Sequence, residues 1–258
     1  MSLLTRSTYI LLIGLALFLP GCIKYKQTLT LMPDGSGKIH VSWGLNNQAM
    51  QMAKANNQDP FAQFKPQSYK EKCKGIVAFT EPKQVKGEDG FTYMTFNAYF
   101  KDINQVSMNM NQDKVDAQGN SSSIGFGAPT KYVYKRDGDG AMLIIEGGLA
   151  LSLIAERKIP DNQQEKEQMR QMMEGFDLVE QYIMPGTLAD SKILQIIDNT
   201  AVLHINRNDV IDGTGAIKDT KNNDKIKVVI EDITLSDKEI REFVKELDAA
   251  IKAAEHSE

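Results

Sequence analysis

The stretch KYKQTLTLMPDGSGKIHVSWG, residues Lys24–Gly44, sets the architecture of this chain. Two runs of alternating apolar and polar residues flank a centre rich in Pro, Asp, Ser and Gly. Alternation with a period of two is typical of strands that bury one face, and such turn residues between two strands indicate an antiparallel β-hairpin. The residues expected on the buried faces are Tyr25, Gln27, Leu29 and Leu31 in the first strand, and Ile39, Val41 and Trp43 in the second.

The residues upstream of this hairpin have the pattern of an export signal. Arg6 supplies a positive charge, and Tyr9–Leu19 is an apolar run of eleven residues. At about 1.5 Å per residue, a helix of this length is too short to cross a hydrocarbon core roughly 30 Å thick. Residues 1–21 are therefore predicted to be a cleaved signal peptide and not a permanent span.

The residues LPGC, at Leu19–Cys22, resemble the lipobox of bacterial lipoproteins. The resemblance implies that Leu19 and Gly21 are read by signal peptidase II, that cleavage follows Gly21, and that the thiol of Cys22 receives diacylglycerol. Acylation of the new amine, for example by palmitate, usually follows, and two or three acyl chains suffice for stable anchoring. Ile23 stands where Asp would signal inner-membrane retention in enteric bacteria, so in a Gram-negative organism we expect the outer membrane, with the protein facing the periplasm. An ordinary signal peptide followed by an accidental Cys is the alternative.

Composition excludes several classes of protein. The 258 residues are 41% hydrophobic and 25% charged, which fits a globular domain and not a disordered, collagenous or polytopic membrane chain. Removing residues 1–21 leaves 237 residues, and the loss of Arg6 leaves 29 basic against 34 acidic side chains, or −5. This balance lacks a basic footprint, so we expect no nucleic-acid partner. Cys73 would be the only free thiol, which precludes an intramolecular disulfide.

Further elements are predicted along the rest of the chain. In the first half they are a short helix in Leu45–Ala55, a second near Ser68–Lys74, a hairpin of Gly75–Val85 with Phe91–Phe100, a helical turn in Lys101–Ser107 and a mobile polar loop in Met108–Ser123. In the second half they are strands at Ile124–Phe126, Lys131–Lys135, Ala141–Glu146, Asp177–Met184 and Lys225–Asp232, a helix from Asp161 or Asn162 to Glu174, and a hairpin of Ser191–Ile197 with Thr200–Asn206. Leu149–Arg157 fits either a buried helix or a strand.

The chain ends in its strongest helix pattern, over residues 235–256. Ser236 and Glu239 match a capping box, and an apolar stripe follows at Ile240, Phe243, Val244, Leu247, Ala250, Ile251 and Ala254. We expect this stripe to pack on a sheet of its own domain, with a partner helix or the membrane interface as alternatives. The predicted fold is a single α+β domain over residues 22–258, mainly antiparallel sheet with helices packed on one face and a C-terminal amphipathic helix.

Three segments resemble the LppM-type lipoproteins of mycobacteria. They are the start of the mature chain, where Cys22 runs directly into the hairpin with its Asp34–Gly37 turn, the middle piece Tyr99–Asn104, and a strand that ends in Met184-Pro185-Gly186 before a tight hairpin. The resemblance covers roughly residues 22–44 and 177–206. It implies an α+β envelope domain of antiparallel strands and helices, for which lipid binding has been proposed. In place of the C-terminal transmembrane helix of the mycobacterial members, this chain has the amphipathic helix.

The sequence lacks the spacings that carry catalysis or metal binding. Asp34-Gly35, Asp137-Gly138 and Asp212-Gly213 do not have the alternating ligands of an EF-hand, so they are interpreted as hairpin turns, and the oxygen cluster around Asp209 is weak. His40, His204 and His256 lack ligand spacing, and there is no G-x-S-x-G elbow. We therefore predict no catalytic residue, no cofactor and no metal site, and the sequence names no ligand-binding residue.

We expect a non-enzymatic, membrane-anchored lipoprotein of the bacterial cell envelope that binds lipid or another apolar ligand near the bilayer. One alternative is a structural or assembly lipoprotein that docks an envelope protein, and another is a hydrolase with dispersed catalytic residues. An apolar cavity of several hundred Å³ would favour the first function. A filled core with an exposed apolar patch would favour the second. Convergent carboxylates or histidines in a cleft would favour the third.

Overall fold

The computed structural model describes residues 23–55, 59–62, 65, 70, 72–109, 112–115, 121–124, 128–156, 160, 162–215, 218 and 225–256. The predicted signal peptide with its predicted lipobox residues Leu19 and Gly21 lies outside the described residues, and so does the predicted lipidation site Cys22.

The elements follow each other in a mixed α and β order. The strands are β1 (Ile23–Leu31), β2 (Gly37–Asn46), β3 (Cys73–Lys74), β4 (Ile76–Phe79), β5 (Lys83–Lys86), β6 (Phe91–Phe100), β7 (Ser107–Met108), β8 (Gln112–Val115), β9 (Ser121–Ile124), β10 (Thr130–Asp137), β11 (Gly140–Glu146), β12 (Asp177–Ile183), β13 (Gly186–Leu188), β14 (Gln195–Ile197), β15 (Thr200–Asn206) and β16 (Lys225–Ile233). The helices are α1 (Asn47–Ala55), α2 (Gly148–Glu156), α3 (Gln163–Met172), α4 (Arg207–Asp212) and α5 (Asp237–Glu255), with a 3₁₀ turn at Ile103–Gln105.

The large sheet is built around the predicted N-terminal hairpin. Its strand order is β14-β15-β12-β1-β2-β6-β4, and β5 also pairs with β6. The β1–β2 hairpin is confirmed, with Tyr25 opposite Trp43 and Leu29 opposite Ile39. On its other side β1 pairs with β12 in parallel, while the other pairs of this sheet are antiparallel. Because β1 has a neighbour on both sides, its alternating residues are fixed toward the core.

The small sheet covers the large one. Its strand order is β13-β16-β11-β10-β7-β3, and β8 and β9 form a separate two-stranded ribbon. Side chains from the facing sides of both sheets form one buried apolar cluster, which includes Leu29, Ile39, Trp43 and Phe100 of the large sheet and Tyr132, Leu143, Val228 and Ile230 of the small sheet. Burial of this kind of side chain contributes about 1.5–3 kcal/mol each, so the facing sides of the two sheets hold the fold together.

The α+β class, the mainly antiparallel strands and the C-terminal helix are confirmed. Two helices lie against opposite faces of the large sheet, so the helices are not all packed on one face as the sequence predicted. Helix α2 joins the main core through Ala150, Leu151 and Ile154. Helix α5 packs with Tyr99 in a second cluster on the other face, because successive side chains of β6 point to opposite sides of the sheet. No described helix is both long enough and apolar enough to span a membrane.

Helix ends follow the predicted caps. The side chain of Ser236 accepts a hydrogen bond from the backbone N–H of Glu239, and the carboxylate of Glu239 accepts one from the backbone N–H of Ser236, so the predicted capping box of α5 is confirmed. At the start of α3, the side chain of Asn162 accepts a hydrogen bond from the backbone N–H of Glu165. The predicted packing of α5 on its own sheet is also confirmed, since Phe243 and Leu247 are only 5% and 7% exposed.

Several sequence predictions were wrong in part. Met108–Ser123 is not all loop, because Gln112–Val115 pairs through its backbone with Ser121–Ile124, which begins within this segment. The sequence of these two strands has no apolar alternation. Cys73–Lys74, predicted to end a helix, forms a short strand against β7. Asp212-Gly213 is not a hairpin turn: Gly213, at φ 73°, ends α4 in the left-handed conformation that glycine adopts readily. Leu149–Arg157, which fitted helix or strand, lies mostly in α2.

The side chain of Glu246 connects α5 to the large sheet, and this contact gives a testable prediction. Lys38 Nζ lies 2.7 Å from Glu246 Oε1, and Tyr99 donates its hydroxyl proton to the same oxygen at 2.6 Å. Partial burial acts to raise the pKa of Glu246, but the hydrogen bonds from Lys38 and Tyr99 outweigh it and lower the pKa below its ordinary 4.5. The ionised carboxylate of Glu246 therefore stabilises the packing of α5 above about pH 4.5, and this stabilisation is lost as the pH falls through the lowered pKa. We expect Glu246→Gln to weaken the seating of α5 at neutral pH by less than about 1 kcal/mol, because the carboxylate is partly exposed.

Amide hydrogen exchange of α5 at about pH 7 and about pH 3 checks this expectation. Relative to Glu246→Gln, the wild type should be better protected at the higher pH, and the difference should be smaller at the lower one. The matched control is Glu242→Gln, one turn away, whose carboxylate is 3.9 Å from Lys238 and exposed. Equal protection of the wild type and the Glu246 variant at both pH values would contradict the role of this contact.

Candidate functional site

The end of the large sheet where β1 begins lies next to the predicted lipid attachment. β1 begins at Ile23, the residue after Cys22, and it is paired from that residue onward. Ile23 lies opposite Leu45, and Lys24 lies between Gly44 on β2 and Asp177 on β12. Because consecutive Cα atoms are about 3.8 Å apart, this end of the sheet follows the predicted attachment point without a linker.

At this end of the sheet, Lys24 forms an ion pair and a cation–π contact. Its ammonium lies 2.7 Å from Asp89 Oδ2 and 4.5 Å from the centroid of the Phe91 ring. Tyr93 donates its hydroxyl proton to the same oxygen of Asp89 at 2.5 Å. The hydrogen bond from Lys24, followed by that from Tyr93, lowers the pKa of Asp89 to about 2. These contacts connect the turn between β5 and β6 to Lys24, the second residue of β1.

Gly44 makes room for this arrangement. A Cβ at Gly44 would lie 2.6 Å from Cε1 of Tyr93, so the tyrosine ring passes directly over the glycine backbone. On the neighbouring strands, His204 Nε2 is 2.6 Å from Asp177 Oδ1, and both side chains are substantially exposed. This end of the large sheet thus presents charges of both signs.

A buried polar cluster lies between the two sheets. Tyr25 donates its hydroxyl proton to Gln27 Oε1 at 2.7 Å, and Gln27 Nε2 donates to the hydroxyl of Tyr132 at 3.1 Å across the sheets. Tyr182 donates to Glu180 Oε2 at 2.6 Å. Glu180 is the cross-strand neighbour of Gln27. The cluster therefore places a carboxyl group, an amide and three phenols inside an otherwise apolar core.

Burial raises the pKa of Glu180, while hydrogen bonds from the Tyr182 hydroxyl and from the backbone N–H of Ala150 oppose the rise. Its side chain is only 7% exposed. A carboxyl group buried in this way is not accessible to a soluble substrate, so this cluster does not line a cleft open to solvent. This cluster was not predicted from the sequence, although Gln27 on the buried face of β1 and Glu180 inside a strand were visible signals.

The histidines and the cysteine, for which the sequence predicted no site, have separate contacts in the structure. His40 Nδ1 is 2.8 Å from Asn97 Oδ1, whereas His256 contacts the backbone oxygen of Lys252. Burial raises the pKa of the Cys73 thiol to about 11, so at neutral pH it is not a nucleophilic thiolate. In the part of the chain that the structure describes, no three His, Cys, Asp or Glu side chains are grouped so that they could hold a metal.

The weak oxygen cluster at Asp209 has a structural explanation. Asp209 Oδ2 accepts a hydrogen bond from the backbone N–H of Asn206, and the side chain of Asn206 accepts one from the N–H of Asp209. The other oxygen, Oδ1, accepts the hydroxyl proton of Thr214 at 2.9 Å. These oxygens are occupied in capping α4 and in closing the loop that follows it.

A groove of about 640 Å³ lies at the other end of the molecule. It is open to solvent and is lined by residues that include Lys135, Arg136, Asp137, Asp139, Met142 and Glu231. Tyr134 donates to the backbone oxygen of Pro33, in the turn that follows the far end of β1, so the β10–β11 tip lies away from Ile23. This distal groove is not the enclosed apolar cavity that would favour a lipid ligand.

Comparisons with known proteins give a weak structural similarity and no sequence match. The chain matches no protein-family model and no curated protein sequence. It is similar to the NMR structure of the folded domain of the LppM protein of Mycobacterium tuberculosis, with 12% sequence identity and a TM-score of 0.36. The similar region covers 83% of this chain and 91% of that chain.

Proposed function

We propose that this protein is a non-enzymatic lipoprotein of the bacterial cell envelope, anchored to a membrane through acylated Cys22. The observation that supports the proposal best is the start of β1 at Ile23, directly after the lipobox. A domain whose central strand follows its anchor without a linker is held against the bilayer surface. In a Gram-negative organism we place it at the outer membrane, facing the periplasm, because Ile23 follows Cys22.

The anchor also sets the orientation of the domain in this proposal. Lys24 and its contacts with Asp89 and Phe91 would lie at headgroup level. β1 then runs away from the membrane toward the Pro33 turn, which contacts Tyr134. The distal groove would therefore face the envelope compartment, where a soluble or membrane-bound partner can reach it.

Two roles are proposed for the anchored domain. Binding of lipid or another apolar ligand near the bilayer follows from the sequence, and native mass spectrometry of protein purified from its own membranes tests it by looking for co-purified lipid. Docking of an envelope protein is the second role, and the specific observation in its favour is the open groove with charges of both signs at the distal end. Repeated recovery of bare protein would favour docking over ligand binding.

Metabolic labelling with a clickable fatty acid tests the anchor. We expect the wild type to be labelled and Cys22→Ala to lose all label, because the thiol that accepts diacylglycerol is gone and cleavage by signal peptidase II fails. The variant should also run as a precursor longer by the 21 residues of the signal peptide. Cys73→Ala is the matched control and should keep full labelling. Label on the Cys22 variant, or its absence from the wild type, would contradict the proposal.

A further inference from the structure

The outer face of the small sheet carries a group of neighbouring apolar side chains. Strands β10, β11 and β16 bury every second side chain between the two sheets, so the side chains between these point outward. Val133 lies opposite Ile144, and Met142 lies opposite Val229. Neither buried apolar cluster of the described residues includes any of these four side chains, and Val229 is 44% exposed. The four residues are called the outer apolar patch below.

Three lysines border the outer apolar patch. They are Lys131 and Lys135 on β10 and Lys227 on β16, all exposed. Lys135 is the cross-strand neighbour of Met142, and Lys227 is that of Ile144. In the part of the chain that the structure describes, none of the three ammonium groups forms an ion pair. Because the whole chain has a net charge of −4, this unpaired positive charge is a local feature of the face.

Acidic side chains lie at the two ends of the same face. Glu146 is opposite Lys131 at one end, and Asp137 and Glu231 line the distal groove at the other. An anionic membrane is negative over its whole surface, so it would meet these carboxylates as well as the lysines. A protein segment with carboxylates at a few positions can reach the lysines and avoid the acids. A small apolar ligand would not be enclosed, since the groove is open to solvent.

We propose that the outer apolar patch and its three lysines dock an acidic amphipathic segment of an envelope protein, which places apolar side chains on the patch and carboxylates at the lysines. This inference rests on the docking role proposed above and names the chemistry of the partner. The distal groove continues the same surface, because Met142, Val229 and Lys135 line it. The arrangement has the apolar centre and charged rim that are usual for protein interfaces.

A binding titration tests the docking face, with the full chain reconstituted into nanodiscs of phosphatidylcholine, which has no net charge. The probe is a synthetic amphipathic helix with leucine along one face and glutamate elsewhere, followed by fluorescence anisotropy. We expect the wild type to bind this peptide, and to bind it more weakly as the salt concentration rises, because salt screens the lysine contacts. The same peptide with lysine in place of glutamate, or with serine in place of leucine, should show no binding.

Substitutions at exposed positions locate the binding surface without disturbing the core. Lys227→Glu should weaken binding of the acidic peptide by about fivefold, because an attraction is replaced by a repulsion. The matched control is Lys245→Glu on the exposed side of α5, which makes the same change of charge and should bind as the wild type. Val229→Ser should also weaken binding by about fivefold. Val85→Ser, on β5 of the large sheet, is its control, since Val85 is 53% exposed.

Several outcomes would overturn the docking face. They include no binding to the wild type, binding that neither Lys227→Glu nor Val229→Ser weakens, and equal binding of the lysine peptide. Displacement of the peptide by phosphatidylglycerol vesicles, and not by phosphatidylcholine vesicles, would mean that the face meets an anionic membrane. Pairing of nanodiscs without peptide, lost in Lys227→Glu, would mean that it meets a second copy. Protein that does not enter nanodiscs would contradict the anchor instead, and its titration in buffer still decides the docking face.

Discussion

Replacing Trp43 with Ala is expected to lower the free energy of unfolding by about 3–5 kcal/mol, the usual loss when a large aromatic side chain is removed from a core. Trp43 is 0% exposed and belongs to the cluster shared by the two sheets. Its ring centroid lies 4.4 Å from that of Tyr25 on the adjacent strand. The cavity would therefore open in the middle of the β1–β2 hairpin, where both sheets meet.

Urea unfolding followed by far-ultraviolet circular dichroism measures this loss, since the substitution removes the single Trp of the chain and with it the Trp fluorescence. Val229→Ala is a suitable control because Val229 is 44% exposed on the outside of β16. Its effect should stay within about 0.5 kcal/mol. A loss for Trp43→Ala below about 1 kcal/mol would mean that the two sheets do not share a packed core.

Gly186→Ala is the second substitution with a large expected effect. A Cβ at Gly186 would overlap the backbone oxygen of Asp232, so β13 could not keep its place beside β16. Pro185 accepts the N–H groups of Thr234 and Leu235, which lead from β16 into α5. Because backbone and not a flexible side chain blocks the new methyl group, we expect a loss of about 3 kcal/mol, at the upper end for overpacking.

Unfolding midpoints of the variant and hydrogen exchange at β13 and β16 check this second expectation. The control is Gly138→Ala in the β10–β11 turn, where no atom lies within 4 Å of the new Cβ and only the positive φ of 60° opposes the substitution. That control should cost about 1 kcal/mol. A loss for Gly186→Ala no greater than for Gly138→Ala would show that the backbone at this turn moves freely.

Local pattern predicted much of this fold. The alternation of Tyr25, Gln27 and Leu29 identified the buried face of β1 correctly, because a paired strand places every second side chain on one side. Ser236 and Glu239 identified the start of α5, because a capping box depends only on neighbouring residues. Such features are local, so a single sequence is sufficient to predict them.

Long-range features could not be predicted in this way. The parallel pairing of β12 with β1 joins strands about 150 residues apart, and no periodicity within either strand specifies that partner. The polar cluster depends on Tyr132, which reaches Gln27 from the other sheet. The ribbon of β8 and β9 pairs through its backbone, and its serine-rich sequence carries no apolar alternation.

The mass of the N-terminal tryptic peptide of the mature protein tests the central claim most directly. Cleavage after Gly21 and after Lys24 predicts the peptide Cys22–Lys24, with the mass of diacylglycerol on the thiol and, in general, an acyl chain on the amine. Peptides from residues 1–21 should be absent from the mature chain. An unmodified Cys22, or a peptide that continues through Gly21 into Cys22, would contradict the lipid anchor and the membrane-bound orientation proposed for the domain.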